Sequence, residues 1–234
     1  KEDGSMVRSF MVDGEIRWGT RKGESETILA LRNDFPEMFG EHGDDHPAYK
    51  KIRHMLNMNQ TPVFEYVGPN NPHVLNYPEK RLILLALRDN FSGQYINVHD
   101  MDYPMFDVVE KHESPSTINE LMETIRVIQG SEGVVLSFTD GSYYKIKGED
   151  YVIKHRARDE ITKERIVWKS ILGGTFDDIL PLLSDQDREK AKEIETEFWQ
   201  LYKGTLDYLN NVVQDALVKY SDKKSFATDR NHGL

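Results

Sequence analysis

The chain has no cysteine, which excludes disulfides, thiolate metal sites and thiol nucleophiles together. A cysteine-free composition fits a reducing compartment, so the cytoplasm is the expected location, that of the host cell if the protein is viral. Long apolar runs are also missing. The strongest is Leu82 to Leu87, far short of the ~18 residues a membrane span needs. The opening residues are charged and do not read as a secretory leader, and no membrane partner is expected. Positive charge is not in excess: 30 Lys and Arg stand against 40 Asp and Glu, a net charge of −10. That argues against non-specific coating of nucleic acid, which depends on neutralising phosphates. Internal repeats and low-complexity tracts are absent as well.

What remains is the composition of an ordinary globular protein, with 38% hydrophobic, 30% charged and 10% aromatic residues among 234. This length suits one large domain, or a domain with a smaller appendage. Contact with nucleic acid would require a local basic face. One candidate runs from Lys145 to Lys169, where Lys145, Lys147, Lys154, Arg156, Arg158, Lys163, Arg165 and Lys169 outnumber the acids. The same run also reads as a solvated helix face.

The first part of the chain is β-rich. Met6 to Val12 and Glu15 to Thr20 flank Asp13-Gly14, a hairpin signal. Ile28, Leu31 and Phe35 recur at helical spacing and predict a helix from Glu24 to about Phe39, with a second helix after Pro47. Val63 to Val67 and Arg81 to Arg88 read as strands. Thr117 followed by Glu120 is a capping-box pattern that opens a helix to about Ile128. A second hairpin joins Val134 to Phe138 with Tyr143 to Lys147 through Asp140-Gly141. From Glu149 onward only helices are predicted: Tyr151 to Arg158, Lys163 to Leu172, Asp185 to Leu209, and Asn211 to Tyr220. The polar tail from Ser221 is expected to fray. The division expected is 1–158 for an α+β core and 159–234 for an all-helical C-terminal domain.

Candidate chemistry starts at Lys1-Glu2-Asp3-Gly4-Ser5, which feeds directly into a strand. A lysine acts as a nucleophile only through its free amine, and a glycine-containing turn lets backbone approach a phosphate. Alone, these five residues read equally as a charged chain end. Later segments add Arg21-Lys22-Gly23, the carboxylates Glu65 and Glu132 at strand positions, and Lys145 and Lys147 on one strand face by the two-residue alternation. Lysines and carboxylates so grouped suit a metal-bound polyphosphate. Each also has an ordinary reading: Glu65 and Glu132 as solvated strand ends, Tyr151 as a core aromatic, Asp177 as a helix cap. His42, His46 and His54 form no compact ligand set and read as surface histidines.

Taken in order, these segments resemble the covalent nucleotidyltransferase superfamily of ligases and capping enzymes, most closely the tRNA-repair RNA ligases of T-even bacteriophages. The resemblance rests on Lys1 to Ser5, on Arg21-Lys22-Gly23, and on Phe64 to Tyr77 with Pro69, Asn71, Val74, Leu75 and Tyr77. It continues through Glu132 to Val135, Tyr144-Lys145-Ile146-Lys147 with Tyr151 and His155, and on to Gly174 to Asp178. It implies a nucleotidyltransferase core of ATP-grasp-like antiparallel sheets with flanking helices. It further implies an ATP-dependent RNA ligase joining 5′-phosphate and 3′-hydroxyl ends, with ATP and Mg2+ as cofactors, and RNA ends, such as a cleaved tRNA anticodon loop, as partners.

Carried over by position, the resemblance makes Lys1 the residue that forms lysyl-AMP, with Asp3 and Gly4 beside it. Glu65 would contact the AMP ribose, and Glu132 would help bind magnesium. Lys145 and Lys147 would hold the α-phosphate, Lys22 and Tyr151 would lie toward the outer phosphates, and Asp177 would sit near a second magnesium. The family carries a segment before its nucleophilic lysine, so residues preceding Lys1 are expected. Two other readings stay open: a nucleotide- or RNA-binding module without catalysis, and a DNA ligase or capping-type enzyme. The latter usually appends a barrel where this chain is helical.

Overall fold

A computed structural model describes residues 1–40, 45–100 and 102–228. The chain divides into two compact units, Lys1–Arg156 and Ala157–Leu234. In the first, strands β1 (Ser5–Val12) and β2 (Glu15–Gly19) form an antiparallel hairpin. Asp13 and Gly14 both take positive φ, 50° and 79°, as a two-residue turn matched to strand twist requires.

Helix α1 (Glu26–Asp34) is shorter than its periodicity predicts. Pro36 lacks an N–H and keeps Phe35 out of helical geometry, so Pro36–Phe39 forms a separate 3-10 turn. Helix α2 (Pro47–Asn57) has proline in its first turn, and His46 accepts the Ala48 N–H as its cap. His46 is thus a capping residue and His54 lies exposed in the last turn. His42 falls outside the described residues.

Strands β3 (Gln60–Val67), β4 (Arg81–Asp89), β5 (Tyr95–Ile96) and β6 (Asp107–Val108) complete a six-stranded sheet. Its order is β2-β1-β3-β4-β5, with β6 running parallel to β4. The core gathers on one face, where Val7, Trp18 and Phe64 of the sheet meet Leu31 of α1 and Ile52 of α2. Strand β1 alternates as a half-buried strand should: Val7 and Ser9 are buried, Met6, Arg8 and Phe10 exposed. Strand β3 departs from that pattern. After an irregularity between Val63 and Phe64, every residue from Phe64 to Val67 is buried. Covering of both faces leaves Glu65 buried on the side opposite Phe64 and Tyr66.

Helix α3 (Ile118–Val127) starts at Thr117, whose hydroxyl accepts the Glu120 N–H at 3.2 Å. Glu120 reaches back to the Ser116 N–H, one residue earlier than a capping box requires. Strands β7 (Gly133–Ser137) and β8 (Tyr143–Lys147) form a separate two-stranded sheet, with Gly133 opposite Lys147 and Val135 opposite Lys145. Helix α4 (Glu149–Ile161) follows β8 and runs through the division between the units.

The second unit contains the end of α4, then α5 (Glu164–Gly173), α6 (Phe176–Ile179), α7 (Asp185–Lys219) and α8 (Lys223–Thr228). Ala157, Ile161, Val167, Phe176, Leu183 and Ala191 make its core. The two helices predicted over 185–220 are one helix of 35 residues. Asn210 and Asn211 are weak helix formers but not breakers, and a single interior Gly204 costs only about 1 kcal/mol. The tail after Ser221, expected to fray, carries α8. The structure is therefore α+β, with an all-helical second unit. Among the described residues, no helix is long and apolar enough to cross a membrane.

Leu31 is fully buried where α1 meets the sheet. Leu31→Ala is expected to lower stability by about 2–5 kcal/mol, through lost burial and the cavity left behind. Urea unfolding followed by tryptophan fluorescence checks this, and a loss under 1 kcal/mol would mean that α1 is not part of the core.

Candidate active site

Residues 1–5 are fixed at both ends by backbone contacts. The Lys1 nitrogen donates to the Gly133 carbonyl at 2.8 Å, and the Lys1 carbonyl accepts from Ser131 Oγ (3.1 Å) and the Glu132 N–H (3.3 Å). Three residues later the Gly4 N–H donates to Glu65 Oε1 at 3.1 Å, and Ser5 pairs with Tyr66 to begin the β1–β3 ladder. The segment therefore links the start of the small sheet to the middle of the large one. Glycine is required at position 4 by close approach, because an added Cβ would lie 2.4 Å from the Tyr66 carbonyl oxygen.

The side chains of this segment meet those of β7, β8 and α4. Lys1 Nζ forms an ion pair with Glu132 Oε2, while Lys147 Nζ lies 3.1 Å from Glu132 Oε1. Glu132 is buried and Lys147 partly exposed, so one desolvated carboxylate lies between two ammonium groups. The trio keeps one net positive charge. Lys147 also lies over the Tyr151 ring, 4.8 Å from its centroid, a favourable cation–π placement.

The Tyr151 hydroxyl donates to Asp3 Oδ1 at 2.7 Å, and the Leu75 N–H donates to Asp3 Oδ2 at 2.8 Å. Asp3 thus joins three parts of the first unit: the opening segment, the loop after β3 and helix α4. Tyr77 closes the group, accepting the Asp3 N–H and donating to Glu2, each at 3.0 Å. Ser5 Oγ donates to Asn71 Oδ1 at 3.1 Å and lies 3.2 Å from His73 Nε2.

Burial pushes the Glu65 carboxyl up to about 7, against the opposing pull of the Lys1 charge and the Gly4 N–H; the negative charges of Glu132 and Asp3 push in the same direction as burial. Among the described residues, no group of three His, Asp or Glu forms a ready-made metal cage. A magnesium-like ion nevertheless needs only one or two carboxylates where substrate phosphates and water complete its shell.

The sequence profile of the RNA ligase family matches residues 1–155, most of the first unit and all of this cluster. The chain belongs to the RNA ligase family. A Thermovibrio ammonificans protein, named as a candidate RNA ligase, is 28% identical over 175 residues, covering 69% of this chain and 42% of that protein. Two solved structures of Naegleria gruberi RNA ligase are also similar. One is a lysine-to-alanine variant with ATP and manganese (17% identity, TM-score 0.48), the other a lysine-to-methionine variant with AMP and manganese (16%, 0.47). Each match covers 67% of this chain and 50% of that one. The chain thus spans about half the length of these relatives, and the structural likeness is too low to carry an argument.

Within this member of the RNA ligase family, the structure brings Lys1, Asp3, Gly4, Glu65, Glu132, Lys147 and Tyr151 into one cluster. Lys145 lies two residues before Lys147 on the same face of β8; it is exposed and makes no ion pair among the described residues. Lys22 occupies the exposed turn after β2, where its N–H donates to Thr20 Oγ1 at 3.2 Å, and its side chain does not join the cluster. Asp177 lies exposed in the first turn of α6, in the second unit.

Sequence reasoning assigned no role to Glu2 or Ser131, and it marked Tyr77, Asn71 and Leu75 only as parts of a motif. Leu75 acts through its N–H, and Ser131 and Tyr77 act through hydroxyl contacts spanning 130 and 74 residues. Nothing in local periodicity signals such contacts.

Two outcomes follow from the geometry. Asn at position 3 can accept only one of the two hydrogen bonds Asp3 receives, so Asp3→Asn is expected to cost about 1–3 kcal/mol in urea unfolding; a neutral result would separate Asp3 from Tyr151 and Leu75. Glu65 binds its proton more tightly when folded, so between about pH 4.5 and 7 it makes stability fall as pH rises. Glu65→Gln removes that dependence. Its stability relative to the native protein is expected to rise from pH 5 to pH 8 by on the order of 2–3 kcal/mol, and a pH-independent difference would contradict the burial assigned to Glu65.

Proposed function

We propose that the protein is an ATP-dependent RNA ligase that works through a lysyl-AMP intermediate on Lys1. The observation carrying this reading is the Glu132 carboxylate, held between the amines of Lys1 and Lys147 in a chain of the RNA ligase family. In the first step Lys1 Nζ attacks the α-phosphorus of ATP; an N–P bond forms and the P–O bond to pyrophosphate breaks. The attacking amine must give up a proton, and Glu132 Oε2 is the acceptor in contact with it. In the second step a 5′-phosphate oxygen of RNA takes the AMP, restoring the lysine. In the third a 3′-hydroxyl attacks the activated 5′-phosphate, forming the phosphodiester and releasing AMP. Covalent storage of AMP splits one difficult displacement into easier ones.

Lys147, held by Glu132 and Tyr151, and the exposed Lys145 supply positive charge where the transferred phosphate gains negative charge. Tyr151 and Asp3 hold this end of the site in place by their hydrogen bond. Glu65 presents a buried oxygen suited to a ribose hydroxyl. A divalent ion, magnesium in this reading, would be held by Glu132 with water and the phosphates, and would neutralise charge on the leaving group. The role of Lys22 at the outer phosphates belongs to the same proposal. Repair of broken RNA, including a cleaved tRNA anticodon loop, is the task this chemistry suits.

The test is incubation with magnesium and ATP labelled on its α-phosphate, without RNA, followed by denaturation. Label is expected on the native protein and not on Lys1→Ala. ATP binding without retained label would overturn the covalent mechanism in favour of a nucleotide-binding module, and labelling by GTP instead would indicate a capping-type enzyme.

A further inference from the structure

Helix α1 ends on a residue that stability alone does not call for. Asp34 is its last residue and is buried, with 8% of its surface exposed. A carboxylate at a helix C-terminus meets the negative end of the dipole, and a desolvated carboxylate is costly unless its oxygens are bonded. Both oxygens of Asp34 are bonded. The Tyr66 hydroxyl of β3 donates to Oδ2 at 2.5 Å, and the Asn70 amide donates to Oδ1 at 2.8 Å. Burial, and then the hydrogen bond to Asp34, raises the Tyr66 pKa and keeps its hydroxyl a donor. The Asp34 carbonyl lacks an intrahelical partner at this position and accepts Lys80 Nζ at 2.5 Å. Lys80 also lies over the Phe35 ring, 5.3 Å from its centroid.

Asn70 and Lys80 lie near the two ends of the loop 68–80 that joins β3 to β4. Those ends press together: a Cβ on Gly68, whose φ is 147°, would lie 2.9 Å from the Lys80 Cα. Asp34 therefore holds the neck of the loop from both sides, with its side chain on one end and its carbonyl on the other. Beyond the neck, the loop carries contacts to the opening segment. Asn71 accepts from Ser5, the Leu75 N–H donates to Asp3, and Tyr77 accepts the Asp3 N–H. Asn71 is itself held, donating to the Tyr66 carbonyl at 2.7 Å.

A buried, fully bonded side chain that breaks a local electrostatic rule is expected where position matters more than stability. We propose that Asp34 is a positioning residue for lysyl-AMP formation: by fixing the neck of loop 68–80 it holds Asp3, and with it Lys1, in line with the α-phosphate. An apolar side chain there would fill the same space and leave the neck free to shift. The proposal rests on the adenylyl-transfer reading and adds to it a residue outside every segment that carries the family resemblance.

The experiment measures the first-turnover rate of label transfer from α-phosphate-labelled ATP to the full chain, with magnesium and without RNA, over a range of ATP concentrations. Asp34→Ala is expected to lower the maximal rate about tenfold to a hundredfold, as a shift of about 1 Å at a reacting group does. The ATP concentration giving half that rate is expected to stay within about threefold, because the loss falls on the chemical step. Asp34→Asn keeps an oxygen for Asn70 and offers an amide to the Tyr66 oxygen, so it is expected to recover most of the rate. Asn70 is exposed; Asn70→Ala loosens the same neck without disturbing the core and is expected to slow the reaction severalfold. Urea unfolding establishes that each variant is folded. Asp34→Ala combined with Tyr77→Phe is expected to be little slower than the slower single variant, since both act through the loop. Native rates in Asp34→Ala and Asn70→Ala would overturn the assignment. So would a loss confined to ATP affinity, or independent effects in the double variant. If the native protein gains no label, the covalent reading falls and the assignment with it. If it is labelled and both neck variants are labelled as fast, only the assignment falls.

Discussion

The first unit depends on the placement of one buried carboxylate. Glu132 lies at the entrance to β7, almost wholly removed from water, and its two oxygens are taken by Lys1 and Lys147. A desolvated carboxylate without partners would cost several kcal/mol, so the arrangement is stable only while both amines stay close. Those amines come from opposite ends of the unit's sequence. Their meeting at Glu132 holds the start of the chain against the small sheet, and it leaves positive charge where a phosphate would be received.

The surrounding contacts serve that placement. Backbone hydrogen bonds tie Lys1 to residues 131–133, and the absence of a side chain at Gly4 lets the same short segment press against β3. Gly133 has a comparable part, since its φ of 146° and its closeness to Ile146 leave no room for a Cβ. Asp3 fixes the segment sideways to the loop after β3 and to α4. The side chains of this cluster are thus held both by backbone geometry and by ion pairing. A site so built keeps its lysine in position without needing a substrate to assemble it.

Family membership and geometry bear on different questions. The RNA ligase profile covers the first unit and ends at residue 155, just short of the division after Arg156. The helical second unit has its own core around Val167, Phe176 and Ala191 and lies outside that match. Because the chain spans about half the length of its relatives, the reaction assigned to it rests on the cluster around Glu132 and not on those proteins as wholes.

Much was readable from sequence alone because the signals were local. Asp13-Gly14 and Asp140-Gly141 marked their hairpins, Thr117 its helix start, and the two-residue alternation placed Lys145 and Lys147 on one face. Local signals misled in two places: apolar periodicity carried α1 past Pro36, and residues 185–220 read as two helices where α7 is one. The ordered motifs indicated which residues matter, but not what each touches. Only the tertiary structure decided that Glu132 bridges two lysines, that Asp3 receives Tyr151 and Leu75, that Glu65 is buried enough to hold its proton near neutrality, and that Lys22 stands apart. Contacts such as these join residues up to 148 positions apart. Whether a carboxylate is paired, buried or solvated depends on what the fold packs against it, and no pattern of neighbours along the chain encodes that.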